Sequence, residues 1–165
     1  GSVQSTGHYT ALAGTDYQVQ GDTLIRGHGQ ITAGDNISHL GQVQAGAGLQ
    51  ETAGQDIWHT GQTLVRGDLQ LQSGGSQSFG FSTSRAQTSA PAGIVATGQI
   101  VSTAGSHIQV AGQLLANGSI TLTAGQPGAP AAGSADIRIG SHLASLDACC
   151  LLGEQDKWMS RFVAP

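Results

Sequence analysis

Charge is scarce in this chain. Only 10% of its 165 residues are Asp, Glu, Lys or Arg, against about 25% in an average globular domain. Six Lys and Arg face ten Asp and Glu, for a net charge of −4. The basic footprint of a nucleic-acid binder is therefore missing. Lysine occurs once, at Lys157. Aromatic residues make up 4%, too few for a thick aromatic core. No apolar run approaches the ~18 residues of a membrane-spanning helix. The two cysteines, Cys149 and Cys150, are adjacent, and the ring closed by such a pair is strained. They read either as small residues in a tail or as a cross-link to another chain or segment. Without spaced Cys and His ligands a zinc site is not indicated. The calcium-binding nonapeptide GGxGxDxUx is absent, so a calcium roll is not indicated either. No cofactor and no metal is expected. No signal peptide is present, and Gly1-Ser2 reads as a cloning remnant; the absence does not contradict secretion if the chain is an internal fragment.

What is abundant is glycine, 26 residues, and it is periodic. Residues 11–30, 31–50 and 51–70 repeat one another at a period of 20. Ala-Gly falls at Ala13-Gly14, Ala33-Gly34 and Ala53-Gly54. A second glycine follows at Gly21, Gly41 and Gly61, and a closing glutamine at Gln30, Gln50 and Gln70. The next glycine arrives on schedule at Gly74, but the following Ala-Gly is Ala104-Gly105, 31 residues later (74 to 105). Eleven extra residues therefore lie between Gly75 and Val95. Residues 102–121 are regular, and Ala124-Gly125 follows one period later. If Asp136-Ile137 matches Asp56-Ile57, about nine more residues are inserted after Gly125. A fixed period of this length marks a stacked architecture, in which no single unit can bury its own apolar face.

Alternation decides between helix and strand. Small or apolar residues recur at odd repeat positions, as in the columns Tyr17, Ile37, Ile57, Ile108 and Ile25, Ala45, Val65, Ala116. The columns Gly29, Leu49, Leu69, Ile120 and Ala13, Ala33, Ala53, Ser73, Ala104, Ala124 behave alike. A period of two is a strand signal. Glycine every six or seven residues would destabilise a helix. Corners fall at Gly34-Asp35-Asn36 and Gly54-Gln55-Asp56, at Gly41 and Gly61, and at Arg66-Gly67-Asp68 and Asn117-Gly118-Ser119. There glycine would supply positive φ, which Asn and Asp tolerate. Three short strands and three corners per period describe an all-β, right-handed parallel β-helix with triangular coils. Five to six coils would span roughly 25–30 Å at about 4.8 Å each. Coils are expected near 11–30, 31–50, 51–70, 71–101 (carrying the insertion 75–95), 102–121 and 122–140. Strict register argues against the disorder that a Gly-rich, weakly charged composition would otherwise suggest. Residues 141–165 leave the pattern and read as a cap over an open strand edge or as the start of another domain.

Candidate sites lie on this frame. His39 and His59 share an inward column with Val19 and Val110 and could stack. No third metal ligand is visible in that column, so a hydrogen-bonded or corner-exposed pair is the expectation. Asp16, Asn36 and Asp56, with His107, line one corner. Asn36 separates the carboxylates by two coils, about 9–10 Å, so bonding to their own backbone explains the column better than acid–base catalysis. Arg26 and Arg66 occupy an outward column. Arg66-Gly67-Asp68 spells an integrin-type tripeptide that a corner also explains. Trp58 should face outward, where an indole can stack on a sugar ring. The insertion 75–95, with Phe79, Phe81 and Arg85, is the foremost binding candidate, since loops on a rigid scaffold carry function. Phe79 and Phe81 either present themselves or tuck against the coil and hold the loop down.

The run from Glu51 to Gly74, xTAGxDIxxxGQxLxxGxLQLxSG, resembles the haemagglutinin repeats of filamentous haemagglutinin-like exoproteins. These include contact-dependent growth inhibition proteins and large adhesins of two-partner secretion systems. The resemblance covers about residues 10–125. It implies a segment of a long virulence-associated rod, exported through an outer-membrane transporter partner and displayed on the bacterial cell surface. It transfers no catalytic residue, and no enzyme is expected. The expected function is a secreted adhesin-like rod that presents Phe79, Phe81, Arg85, Trp58 and Arg66 to a host-cell or bacterial-cell receptor, a glycan or matrix. The alternatives are a passive stalk of a toxin-delivery protein and, less favoured because acids are scattered, a polysaccharide-processing β-helix enzyme.

Overall fold

The computed structural model describes residues 1–80, 93–125, 136–139, 142–145 and 149–152. Among these residues all regular structure is β-strand, and no helix is present that could cross a membrane. The strands form three parallel sheets of seven, seven and six strands, a solenoid of about six turns. Sheet 1 stacks Val3–Ser5, Thr23–Ile25, Val43–Ala45, Thr63–Val65, Ile94–Ala96, Gln113–Ala116 and His142–Ser145. Sheet 2 stacks the longer strands Tyr9–Ala13, Gly29–Ala33, Leu49–Ala53, Leu69–Ser73, Ile100–Ala104 and Ile120–Ala124, then Cys149–Leu152. Sheet 3 stacks Tyr17–Val19, Ile37–His39, Ile57–His59, Gln77–Phe79, His107–Val110 and Asp136–Ile139.

Register follows the repeat columns. Tyr17, Ile37, Ile57, Gln77, Ile108 and Ile137 pair in succession, so Asp136-Ile137 does occupy the Asp56-Ile57 position. Along each strand, alternate side chains turn inward. Ile25, Ile31, Ile37, Ile57, Leu69, Ile100 and Ile120 are each 0% exposed. Each contributes roughly 1.5–3 kcal/mol on leaving water.

Three expectations need correction. The insertion is narrower than 75–95, because Gln77–Phe79 and Ile94–Ala96 are in-register strands. The Gly80 N–H still donates to the His59 carbonyl at 2.7 Å, and the Thr63 N–H donates to the Gly93 carbonyl at 2.9 Å. The added chain thus leaves after Gly80 and rejoins at Gly93, at the corner between sheets 3 and 1. The second insertion falls between Gly125 and Asp136, at the corner between sheets 2 and 3. Both corners border sheet 3. The solenoid also does not stop at residue 140. His142–Ser145 and Cys149–Leu152 extend sheets 1 and 2 in register with Gln113–Ala116 and Ile120–Thr123. The doublet Cys149-Cys150 therefore lies in a ladder strand.

The third correction concerns the glycines. Among the described residues only Gly67, Gly80 and Gly125 have positive φ. The Ala-Gly column exists for a different reason, which is clearance between coils. A Cβ on Gly34, Gly54, Gly74 or Gly105 would overlap the carbonyl oxygen of the equivalent glycine one coil below. On Gly61 it would lie 2.5 Å from the Gly41 oxygen. Corner carboxylates likewise act between coils rather than on their own turn. Asp16 Oδ1 accepts from the Asn36 N–H at 3.2 Å, Asn36 Oδ1 from the Asp56 N–H at 3.2 Å, and Asp56 Oδ1 from the Ser76 N–H at 2.6 Å. Each bond spans 20 residues and fastens one coil to the next.

Candidate functional site

The interior is not uniformly apolar. Each sheet has an inward column into which two polar residues intrude, in neighbouring coils on sheet 3 and two coils apart on sheets 1 and 2. On sheet 3, Val19, His39, His59, Phe79, Val110 and Ile139 are in register. On sheet 2 the sequence is Ala11, Ile31, Glu51, Leu71, Ser102 and Leu122. On sheet 1 it is Val3, Thr23, Val43, Thr63, Ile94 and Leu114. Thr23, His39, Glu51, His59 and Thr63 are all buried, with His39 and Glu51 at 0% exposure.

These five side chains form one continuous chain of hydrogen bonds. Thr23 Oγ1 lies 3.2 Å from His39 Nδ1, and His39 Nε2 lies 3.0 Å from Glu51 Oε1. Glu51 Oε2 lies 2.8 Å from His59 Nε2, and His59 Nδ1 lies 2.7 Å from Thr63 Oγ1. Coil geometry explains why one carboxylate serves two imidazoles. Glu51 is 12 residues after His39 and 8 before His59. At about 4.8 Å of rise per 20-residue coil, it sits roughly 3 Å above one ring and 2 Å below the other. Its two oxygens divide between them.

Aromatic packing closes the site. The His39 and His59 rings meet edge to face, with centroids 4.7 Å apart at 70°. They do not stack in parallel. Phe79 continues the column at 5.3 Å from His59, and Tyr17 packs 5.7 Å from His39. The Tyr17 hydroxyl meets that of Tyr9 at 3.0 Å. Burial and this hydrogen bond push the Tyr17 phenol well above its ordinary range.

Electrostatics fix the charge on the carboxylate. Burial favours a neutral Glu51, but the charges and hydrogen bonds of His59 and His39 outweigh it. They hold the carboxyl far below the usual carboxylate range. Burial pushes the His59 imidazole down; Glu51 opposes this and His39 adds to it. With Glu51 ionised, both Nε2 atoms donate N–H to it, and each Nδ1 pairs with a threonine hydroxyl, which can donate or accept. No buried side-chain polar atom among the described residues lacks a partner. A sealed chain of this kind can brace neighbouring coils, hold a proton or take a cation. It cannot meet a polymeric substrate, because none of its groups reaches the surface.

The residues expected to bind do not converge. Trp58 does face outward, 39% exposed, between Ser38 and Ser78 on sheet 3. Arg66 is exposed at the corner between sheets 1 and 2. Asp68 of the same tripeptide accepts the Gln99 N–H at 3.0 Å, another coil-to-coil bond. Phe79 is not presented at all. It is 1% exposed and packs as a core residue on His59, because position 79 has the inward parity of His39 and His59. Phe81 and Arg85 lie outside the described residues.

Sequence reasoning missed Glu51, and with it Thr23 and Thr63. The signal was available, since Glu51 has the inward parity of Leu49 and Ala53 in one strand. A search for ligands within the histidine column alone could not find a donor on another sheet. A second buried polar pair follows the same logic. Ser102 donates to Gln77 Oε1, and Gln77 Nε2 donates to the Thr103 carbonyl at 2.8 Å.

The fold and site define a class: a three-sided parallel β-solenoid with an ionic chain sealed inside it. Comparison with family models, with curated proteins and with solved structures returned no match to this chain.

Proposed function

We propose that this chain is a segment of a secreted, surface-displayed filamentous exoprotein, serving as a rigid rod that presents loops for cell or matrix contact. The observation that carries the reading is the unbroken in-register pairing on all three faces. The period lengthens at only two places among the described strands, both at corners bordering sheet 3. A scaffold that absorbs additional chain without losing register suits display. The likeness of residues 51–74 to haemagglutinin repeats supports export by two-partner secretion through an outer-membrane transporter, with a host-cell or bacterial-cell receptor or a glycan as partner. Trp58 and Arg66 are the exposed contacts in this reading, with Phe81 and Arg85 in the inserted segment.

One observation favours a passive stalk instead. The corner groups Asp16, Asn36, Asp56 and Asp68 already bond the next coil, which is what a spacer needs and a catalytic face does not. Deleting residues 81–92 separates the two readings. The intact and deleted chains would be compared for binding to epithelial cells, bacterial cells and a glycan panel, with circular dichroism to verify folding. Loss of a specific signal on deletion supports display by that segment. Absence of binding by either chain overturns it in favour of the stalk.

A further inference from the structure

We propose that His39, Glu51 and His59 form an interior binding site for one divalent transition-metal ion, best matched by zinc. Their ligand atoms all lie within 4.8 Å of one another, and each is buried. Two imidazole nitrogens and a carboxylate are a recognised zinc donor set, and both carboxylate oxygens together with both Nε2 atoms give four donors. Calcium and magnesium demand more oxygen than one carboxylate supplies, so the nitrogen content selects against them.

The spacing needs only a small adjustment. Ligands about 2.1 Å from a tetrahedral centre stand about 3.4 Å apart, except the two oxygens of one carboxylate, which its own bonds hold closer together. The two nitrogen–oxygen separations are 3.0 and 2.8 Å. Rotation of the imidazoles outward by a few tenths of an ångström opens the centre.

The surroundings are those of a metal-ligating histidine. To bind through Nε2, each ring must carry its proton on Nδ1. Thr23 Oγ1 and Thr63 Oγ1 already stand at those nitrogens, 3.2 and 2.7 Å away. A hydroxyl serves either tautomer, since it can donate or accept. Partners on the second nitrogen orient the ring and raise its affinity. Two neutral rings change tautomer with no net proton released; a charged ring would release one. Phe79, Val43 and Ile31 belong to the buried core around the site. Access from solvent is closed, so the ion enters as the coils form, and binding free energy becomes folding free energy.

The test uses the whole chain with Cys149 and Cys150 alkylated, so that thiols cannot bind. The protein is unfolded in denaturant with chelator, exchanged, and refolded with or without one equivalent of zinc chloride. Metal retained after gel filtration is measured by mass spectrometry. The expected result is about one zinc per chain and a Tm raised by about 5–10 °C at zinc a hundredfold above Kd. Refolding with Co2+ should give the visible absorption of a four-coordinate ion. Glu51→Leu should abolish retention. His8→Gln with His28→Gln, which removes an exposed histidine pair 6.0 Å apart, should leave it intact. No retention by the unsubstituted chain overturns the proposal without recourse to any variant. So does retention lost with the surface pair but kept in Glu51→Leu.

Discussion

Replacing Glu51 by leucine tests the sealed chain most sharply. Leucine is what the same inward column carries one coil on, at Leu71, so size and strand propensity are respected. What is lost is the acceptor for two buried N–H groups, at 3.0 and 2.8 Å. Each unpaired group costs about 1–3 kcal/mol. Relief of carboxylate desolvation and the added apolar contact offset about a third of the sum. Removing one member of a buried ionic set typically costs about 3–5 kcal/mol. The expected destabilisation is therefore about 3 kcal/mol, or a Tm lower by roughly 6–12 °C for a chain of this size. Urea unfolding in the presence of chelator, followed by far-ultraviolet circular dichroism, should show a lower midpoint at unchanged m. A companion variant replaces the whole chain by residues its own columns use elsewhere: Thr23→Val, His39→Val, Glu51→Leu, His59→Phe and Thr63→Val. Removing every partner together should restore stability to within about 1 kcal/mol of the parent, or exceed it. A Glu51→Leu midpoint at or above the parent value would refute the reasoning. So would a fivefold variant less stable than the single one.

Other expectations can be checked by the same unfolding assay. Gly54→Ala should cost about 1–3 kcal/mol, because its Cβ overlaps the Gly34 oxygen. Gly14→Ala in the same column should change stability by no more than about 0.5 kcal/mol, since nothing lies within 4 Å of its added carbon. Phe79→Ala should lose about 3–5 kcal/mol as a core truncation, whereas Trp58→Ala on the outer face should lose about 0.5 kcal/mol or less. Asp56→Ala, which removes the 2.6 Å acceptor of the Ser76 N–H, should cost about 0.5–1.5 kcal/mol. Amide exchange at Ser76 should accelerate with it.

The repeat columns made the fold legible because stacking forces equivalent residues into register. Ala13, Ala33, Ala53, Ser73, Ala104 and Ala124 could be aligned from the sequence and do pair in succession. The two insertions were legible as breaks in period. Their exact ends were not, because Gln77–Phe79 looks unlike Ile57–His59 until pairing places Gln77 beside Ile57. The cause of the glycine columns was misread for a related reason. Local sequence suggests positive φ, whereas clearance from the coil below is a property of the stack. Corner aspartates were misread in the same way, as servants of their own turn rather than of the next coil. His39 and His59 were legible as an inward pair from parity. Glu51 was not, because a site built across three sheets draws its members from different columns. The strands His142–Ser145 and Cys149–Leu152 lack the glycine signature of the earlier coils, so only their ladders identify them as part of the stack.

The central claim is that equivalent repeat positions, 20 residues apart in the uninterrupted coils, lie directly above one another on every face. It is tested most directly by engineered disulfides on the outer surface of sheet 2, in a background with Cys149→Ser and Cys150→Ser. Thr32 and Thr52 are register partners in adjacent coils, within the roughly 4.4–6.8 Å Cα separation that a disulfide spans. Gln72 stands one coil further on, about 9.6 Å from Thr32. The account predicts that Thr32→Cys with Thr52→Cys forms an intramolecular disulfide under mild oxidation and keeps the fold. Thr32→Cys with Gln72→Cys should remain reduced. Ready bridging of the second pair, or failure of the first in a folded protein, would contradict the 20-residue stack.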